Sequence, residues 1–213
     1  MLPLTVADQL RQAISDGEYE PGQRFNEVRL AAELAVSRNT LRESLSLLVS
    51  DGLCERIPNR GVFLATPSAA TLGDVFRARA AIEPAAILWG EDLPVDALED
   101  NVRAARAALD AGELGDVGRL NQKFHLRIVA ATGSSTLEST MSRIAAYMRL
   151  SFLTVIKHVP DFHAPYIDNN AAVVAALRDN GREDAAHLLH GQMLHTFDEV
   201  DALLREHDPA YLS

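Results

Sequence analysis

Between Asn26 and Leu64 the apolar positions change their period. NEVRLAAELAV and SRNTLRESLSLLVSDG carry helical spacing, and LCERIPNRGVFLA follows as a two-stranded ribbon. The turn around Ala35-Val36 is too short for anything but a second helix packed across the first, and Ser37 is a suitable N-cap for it. From there Leu41, Leu45, Leu48 and Val49 fall at i, i+4, i+7 and i+8, one buried stripe. That stripe leaves Arg38, Asn39, Arg42 and Ser46 on another face, and Gly52 ends the helix. Upstream, Val6, Leu10 and Ile14 predict a helix that starts at Thr5, has Asp8 at its capping-box position and stops at Gly17. Residues 1–66 therefore predict a winged helix-turn-helix of three helices plus a β-hairpin wing.

After Ala65-Thr66-Pro67-Ser68, read as a linker, strand-like alternation does not recur. Clusters of Pro, Gly and polar residues delimit six helices, at roughly 70–89, 95–111, 115–132, 135–158, 164–179 and 182–206. The expected fold is mainly α, with an all-helical bundle over 70–208. The Ala-rich stretch 101–111 suits either close packing on a partner or an interior helix.

The exposed Arg38-Asn39-x-x-Arg42 at a helix N-terminus is chemically suited to DNA. Guanidinium groups pair bidentately with guanine O6 and N7 or with phosphate, and an asparagine reaches a base edge. Pro58-Asn59-Arg60-Gly61 is turn chemistry that puts Arg60 at the wing tip, where an arginine enters a narrow minor groove or holds a phosphate. The formal net charge of −10 runs against this reading. Its distribution softens the objection, since residues 1–65 hold seven arginines against nine carboxylates and the remainder thirteen bases against twenty-one acids. Weak non-specific binding and strong salt dependence are expected. An apolar content of 47% excludes disorder, and one cysteine, Cys54, excludes an internal disulfide and reads as a small buried residue of the first wing strand. With no leader-like segment before Thr5 and no apolar run long enough to span a membrane, a cytoplasmic protein is expected.

PGQRFNEVRLAAEL, VSRNTLRESL, DGL and PNRGVF together resemble the N-terminal domain of GntR-type bacterial transcription regulators. The resemblance implies that Arg38, Asn39, Thr40 and Arg42 face the operator, with Asn59, Arg60 and Gly61 at the wing and Arg29 touching the DNA backbone. RARAAIEPAAILWG and NQKFHLRIVAATG resemble the FCD ligand-binding domain of one branch of that family, most strongly at Arg79-x-x-x-Glu83-Pro84, Phe124-His125 and Ala130-x-x-Gly133.

In that domain a divalent metal is often held by one Asp and three His. The matching positions here are Asn121, His125, Asn170 and Gln192, so only one imidazole survives. Amides without a carboxylate make a poor transition-metal site, and none is expected to bind tightly. A weak divalent site of His125 and His195 assisted by Asp168 is the alternative, with His195 three residues beyond Gln192 and partly inward. His187 and His190 read as solvent-facing. Without a metal the pocket still suits an anion: Arg79 would pair with a ligand carboxylate, and Asn121, His125, Asn170, Gln192 and His195 would complete the effector site.

The leading expectation is a homodimeric regulator, a repressor, whose grip on a palindromic operator in double-stranded DNA depends on a small carboxylate-bearing metabolite. An acyl-coenzyme A effector on the same fold is one alternative; a metal-dependent enzyme built on the bundle is another. The enzyme reading has no nucleophile beside a base and no phosphate-cradling glycine loop to support it. A cavity merely filled by side chains and water competes with the effector site.

Overall fold

The computed structural model describes residues 2–208 and 211. Met1, the first residue of the expected 1–66 unit, lies outside them. Nine helices and one two-stranded sheet are found among the described residues. The first helix, α1 (Pro3–Asp16), begins two residues before the expected Thr5, because Pro3 arrives with a helical φ and has no N–H to leave unpaired. Leu2 caps it without a side-chain bond, and Asp8 pairs with Arg11 instead of closing a capping box. Gly17, at φ +81°, ends the helix by donating its N–H to Ala13 and Ile14 carbonyls.

Asn26 caps α2 (Glu27–Glu33), its Oδ1 accepting from the Arg29 N–H at 3.1 Å. The chain turns through Ala35 at φ +53°, and Ser37 then caps α3 (Arg38–Ser50) by accepting from the Thr40 N–H at 3.1 Å. Leu41, Leu45 and Leu48 are fully buried and Val49 half-buried, as the stripe predicts. The wing pairs β1 (Cys54–Ile57) with β2 (Gly61–Leu64), antiparallel from Cys54↔Leu64 to Ile57↔Gly61. Its outer strand gains a further partner that the pattern did not announce. Gly22 donates to the Leu64 carbonyl and Phe25 to that of Val62, with Arg24 bridging Phe63.

The bundle consists of α4 (Ala69–Trp89), α5 (Val95–Asp110), α6 (Leu114–Ala130), α7 (Ser135–Val155), α8 (Ala164–Asp179) and α9 (Arg182–His207). Pro84 lies inside α4, so the Ala80 carbonyl loses its helical donor. His190 Nδ1 of α9 donates to that carbonyl at 3.0 Å. His187 and His190 are both exposed, as expected; His190 also ties α9 to α4 through that bond, whereas His187 bonds the Glu183 carbonyl of its own helix. Ala105 and Ala108 of α5 pack inward against Val117 and Ile167, the interior option for that stretch.

Two large cores result, and they share a helix. Ala146, Tyr147 and Leu150 of α7 belong to the small N-terminal core, against which α1 packs. Nor is 65–68 a free linker: Ala65 and Pro67 are buried, and the Ser68 N–H donates to the Tyr147 hydroxyl at 2.9 Å. No helix among the described residues is long and apolar enough to cross a membrane.

Candidate functional site

The first candidate surface is the exposed side of α3 and the wing. Arg38 and Asn39 stand exposed in the first turn of α3, where the helix dipole favours anions. Thr40 is half-buried, and its hydroxyl is joined to that of Ser37 at 2.8 Å, which makes it part of the cap. Arg42 Nε is held by Glu27 Oε2 at 2.7 Å, and Arg29 Nε by Glu33 Oε1 at 2.6 Å. Arg60 tops the wing, its guanidinium carbon 5.5 Å from the centre of the Phe63 ring. Asn59 at φ +61° and Gly61 at φ +109° shape that turn, which the Arg60 N–H closes onto the Ile57 carbonyl.

A groove of about 410 Å³ runs between the wing base and the starts of α2 and α3, lined in part by Arg24, Asn26, Val28, Arg38 and Gly61. Arg24 was not singled out by sequence, although it stands within the PGQRF segment. Its side chain lies along the wing, with Nε 3.4 Å from where a Gly61 Cβ would sit. Arg56 also reaches this face, donating to Ser46 Oγ of α3 at 3.1 Å. The surface thus divides into arginines neutralised by a carboxylate, Arg29 and Arg42, and arginines with no such partner among the described residues, Arg24, Arg38, Arg56 and Arg60.

The second candidate is a cavity of about 20 Å³ inside the bundle, room for a single water. Arg79, Asn121 and His125 line it together with Gly118, Gln122, Arg149 and the apolar Met141, Met148 and Phe152. Glu83, one turn along α4 from Arg79, is fully buried. Arg79 Nε donates to its Oε1 at 2.6 Å and His125 Nδ1 to its Oε2 at 2.7 Å. Burial alone would raise the Glu83 carboxyl, but Arg79 and His125 outweigh it and hold it down at about 2. Arg79 therefore meets the cavity as half of an internal ion pair, a departure from the free anchor expected.

The remaining expected residues separate. Asn170 Nδ2 donates to Asn121 Oδ1 at 2.8 Å, so it reaches the cavity only through that partner. Gln192 turns to the Asn169 carbonyl at 3.0 Å. His195 is 71% exposed and lies beside Glu199, on the solvent side of α9. Asp168 is equally exposed and pairs with Arg106. Hence the His125, His195 and Asp168 set does not converge, and the amides at the other family positions are spent on one another and on backbone. The donor set does not fit a resident metal. No group of three His, Cys, Asp or Glu suited to an ion occurs among the described residues.

Sequence reasoning missed Glu83 as a partner, and with it Gln122 and Arg149. A lone arginine inside the otherwise apolar run IAAYMRLSF was the available signal for Arg149. Cys54 is buried, and burial pushes its thiol up to about 12, which fits an inert packing residue.

Comparison with known proteins adds independent findings. Residues 2–64 match the family described as bacterial regulatory proteins, gntR family, and residues 74–195 match the FCD domain. The chain is 30% identical to the HTH-type transcriptional repressor GlaR of Escherichia coli K12, covering 87% of this chain and 89% of that one. It is 27% identical to the Nta operon transcriptional regulator of Aminobacter aminovorans, covering 88% and 89%. Among solved structures, a GntR transcriptional regulator from Rhodococcus sp. RHA1 superimposes with a TM-score of 0.81 at 28% identity, over 93% of this chain and 96% of that one.

Proposed function

This chain belongs to the GntR family of DNA-binding bacterial transcription regulators and carries an FCD domain, and on that premise we propose that it is a homodimeric repressor released or tightened by a small organic acid. The observation that carries the reading is the Ser37-capped start of α3, which presents Arg38 and Asn39 to solvent beside the Arg60 wing. Arg38 and Asn39 would read base edges, Arg60 the minor groove, and Arg24 and Arg56 the phosphates. Arg29 and Arg42 act from within ion pairs, as phosphate contacts that exchange a carboxylate for DNA. Asn59 and Gly61 set the wing turn, and Thr40 fixes the cap.

Two heads per operator follow from the small footprint of one recognition helix, and two-fold proteins match palindromic sites. The effector enters the cavity bounded by α4, α6 and α7. That cavity is nearly closed, so binding requires Met141, Met148 and Phe152 to give way; methionine side chains do so readily. So small a volume favours a compact acid over an acyl-coenzyme A.

Genomic fragments retained by the purified full chain test the reading. Enrichment of a short palindrome is the expected result, with retention falling steeply as salt rises. Retention of unrelated fragments at equal strength would sink it.

A further inference from the structure

We propose that Arg149, rather than Arg79, is the anion anchor of the bundle cavity, and that the ligand is a small monocarboxylate whose acid head sits among Arg149, Gln122 and Gly118. This deepens the effector reading above and rests on it. Three observations carry it. Arg149 is only 5% exposed, lines the cavity, and has no group among the described residues accepting from its Nε or Nη1. Gln122, which lines the same cavity, has an amide Nε2 likewise without a partner among the described residues. Gly118 lets the guanidinium reach the cavity: a Cβ there would stand 2.7 Å from Arg149 Nη1 and 2.9 Å from the His163 ring.

Charge accounting identifies the ligand class. The Arg79 charge is cancelled by Glu83, whereas Arg149 is a lining cation with no ion-paired carboxylate among the described residues, Asp16 acting on it only from beyond pairing distance. An uncompensated buried charge is costly, and a ligand bringing one negative charge removes that cost. A second carboxylate would be buried without a counter-charge. His163 supplies a neutral neighbour: burial first, then Arg149, lowers its imidazole to about 3, and neither ring nitrogen has a partner among the described residues. Met141, Met148 and Phe152 would take the apolar body of the acid.

The same guanidinium touches the N-terminal unit. A Cβ on Gly17, which ends α1, would lie 2.8 Å from Arg149 Nη2. An acid drawn to Nε and Nη1 therefore pulls on a group packed at the end of α1, and α7 continues into the small core through Ala146, Tyr147 and Leu150. Occupancy of the cavity thus bears on how the DNA-binding unit is seated.

Thermal unfolding of the full chain, with propionate, butyrate, succinate, citrate and inorganic phosphate as probes, tests the proposal. Propionate or butyrate should raise the wild-type midpoint by about 5 °C or more near saturation, well beyond succinate, citrate or phosphate. Arg149→Met should raise the midpoint without any probe by about 2–4 °C or more, since it removes an unpaired buried charge, and should abolish the response. Arg79→Lys, which keeps a charge opposite Glu83, should still respond. If Arg149→Met kept the shift while Arg79→Lys lost it, the anchor would be misassigned and the effector reading would stand. An Arg149→Met chain less stable than wild type would make Arg149 a structural residue and overturn the proposal. Stronger stabilisation by succinate, citrate or phosphate would overturn the ligand class. No shift of the wild type by any probe would overturn both the proposal and the effector reading.

Discussion

On the DNA-facing surface the chain sets its arginines in water; inside the bundle it hides them. Arg38 and Arg60 are exposed and need no internal partner, because solvent screens them until a polyanion arrives. Arg79 and Arg149 are buried, and each must answer for its charge. Arg79 does so with Glu83, while Arg149 has no such paired carboxylate among the described residues. An exposed arginine can wait for its ligand at almost no cost, whereas a buried one turns the lack of a ligand into instability. The first surface is suited to constant availability and the second to sensing.

The contrast can be broken most severely at Glu83. Glu83→Ala would strand Arg79 and His125 and should destabilise the fold by about 3–5 kcal/mol, read by chemical denaturation. Acid probes the buried side next. His163 has a folded value near 3 against an ordinary 6.5, so the unfolded chain takes up its proton first as pH falls. The contribution is intact above about pH 6.5, falls by about 1.4 kcal/mol per unit below it, and reaches a loss of about 2 kcal/mol at pH 5. Glu83 contributes with the opposite chemistry but the same sign, losing its share only between about 4.5 and 2, so above about pH 4.5 the slope reports His163 and not Glu83. His163→Gln should flatten the slope between pH 6.5 and 5 relative to wild type. A parallel slope would mean that His163 is solvated.

On the exposed side the arginine substitutions act on binding and spare the fold. Arg38→Ala should cost about 1–3 kcal/mol of operator affinity per head in an anisotropy titration, with the unfolding midpoint unchanged. Arg42→Ala should cost less, because Glu27 must first be released. Equal losses would show that the Glu27 pair does not persist on DNA. Smallest is Ser37→Ala, which removes the cap of α3 and should cost about 1 kcal/mol of stability.

What sequence made legible follows the same division. The helix-turn-helix was readable because its determinants are local: a cap three residues from its donor, a stripe within one helix, turn residues in one loop. The bundle helices were readable from their punctuation, and their observed ends differ by a few residues. Partners far apart in the chain were not readable. Nothing local says that His125 will choose Glu83, forty-two residues away, or that Asn170 will choose Asn121. His195 was misplaced because counting residues along α9 gives proximity to Gln192 but not the face, which depends on how that helix rolls against α4 and α8. The start of α1 was misjudged for the converse reason: a plausible cap at Thr5 competed with a proline, and the proline won locally.

The sharing of α7 between the two cores has a consequence for how the molecule is made. The DNA-binding segment leaves the ribosome first, yet the core that holds it contains Ala146, Tyr147 and Leu150, and the segment leaving it is tied through the Ser68 N–H to the Tyr147 hydroxyl. That core is complete only after some eighty further residues have been synthesised. During translation the nascent head waits on a helix that belongs to the sensor, so a chain truncated before residue 146 would display a recognition helix on an unfinished foundation. Transplanting the head onto another sensor would meet the same difficulty unless α7 travelled with it.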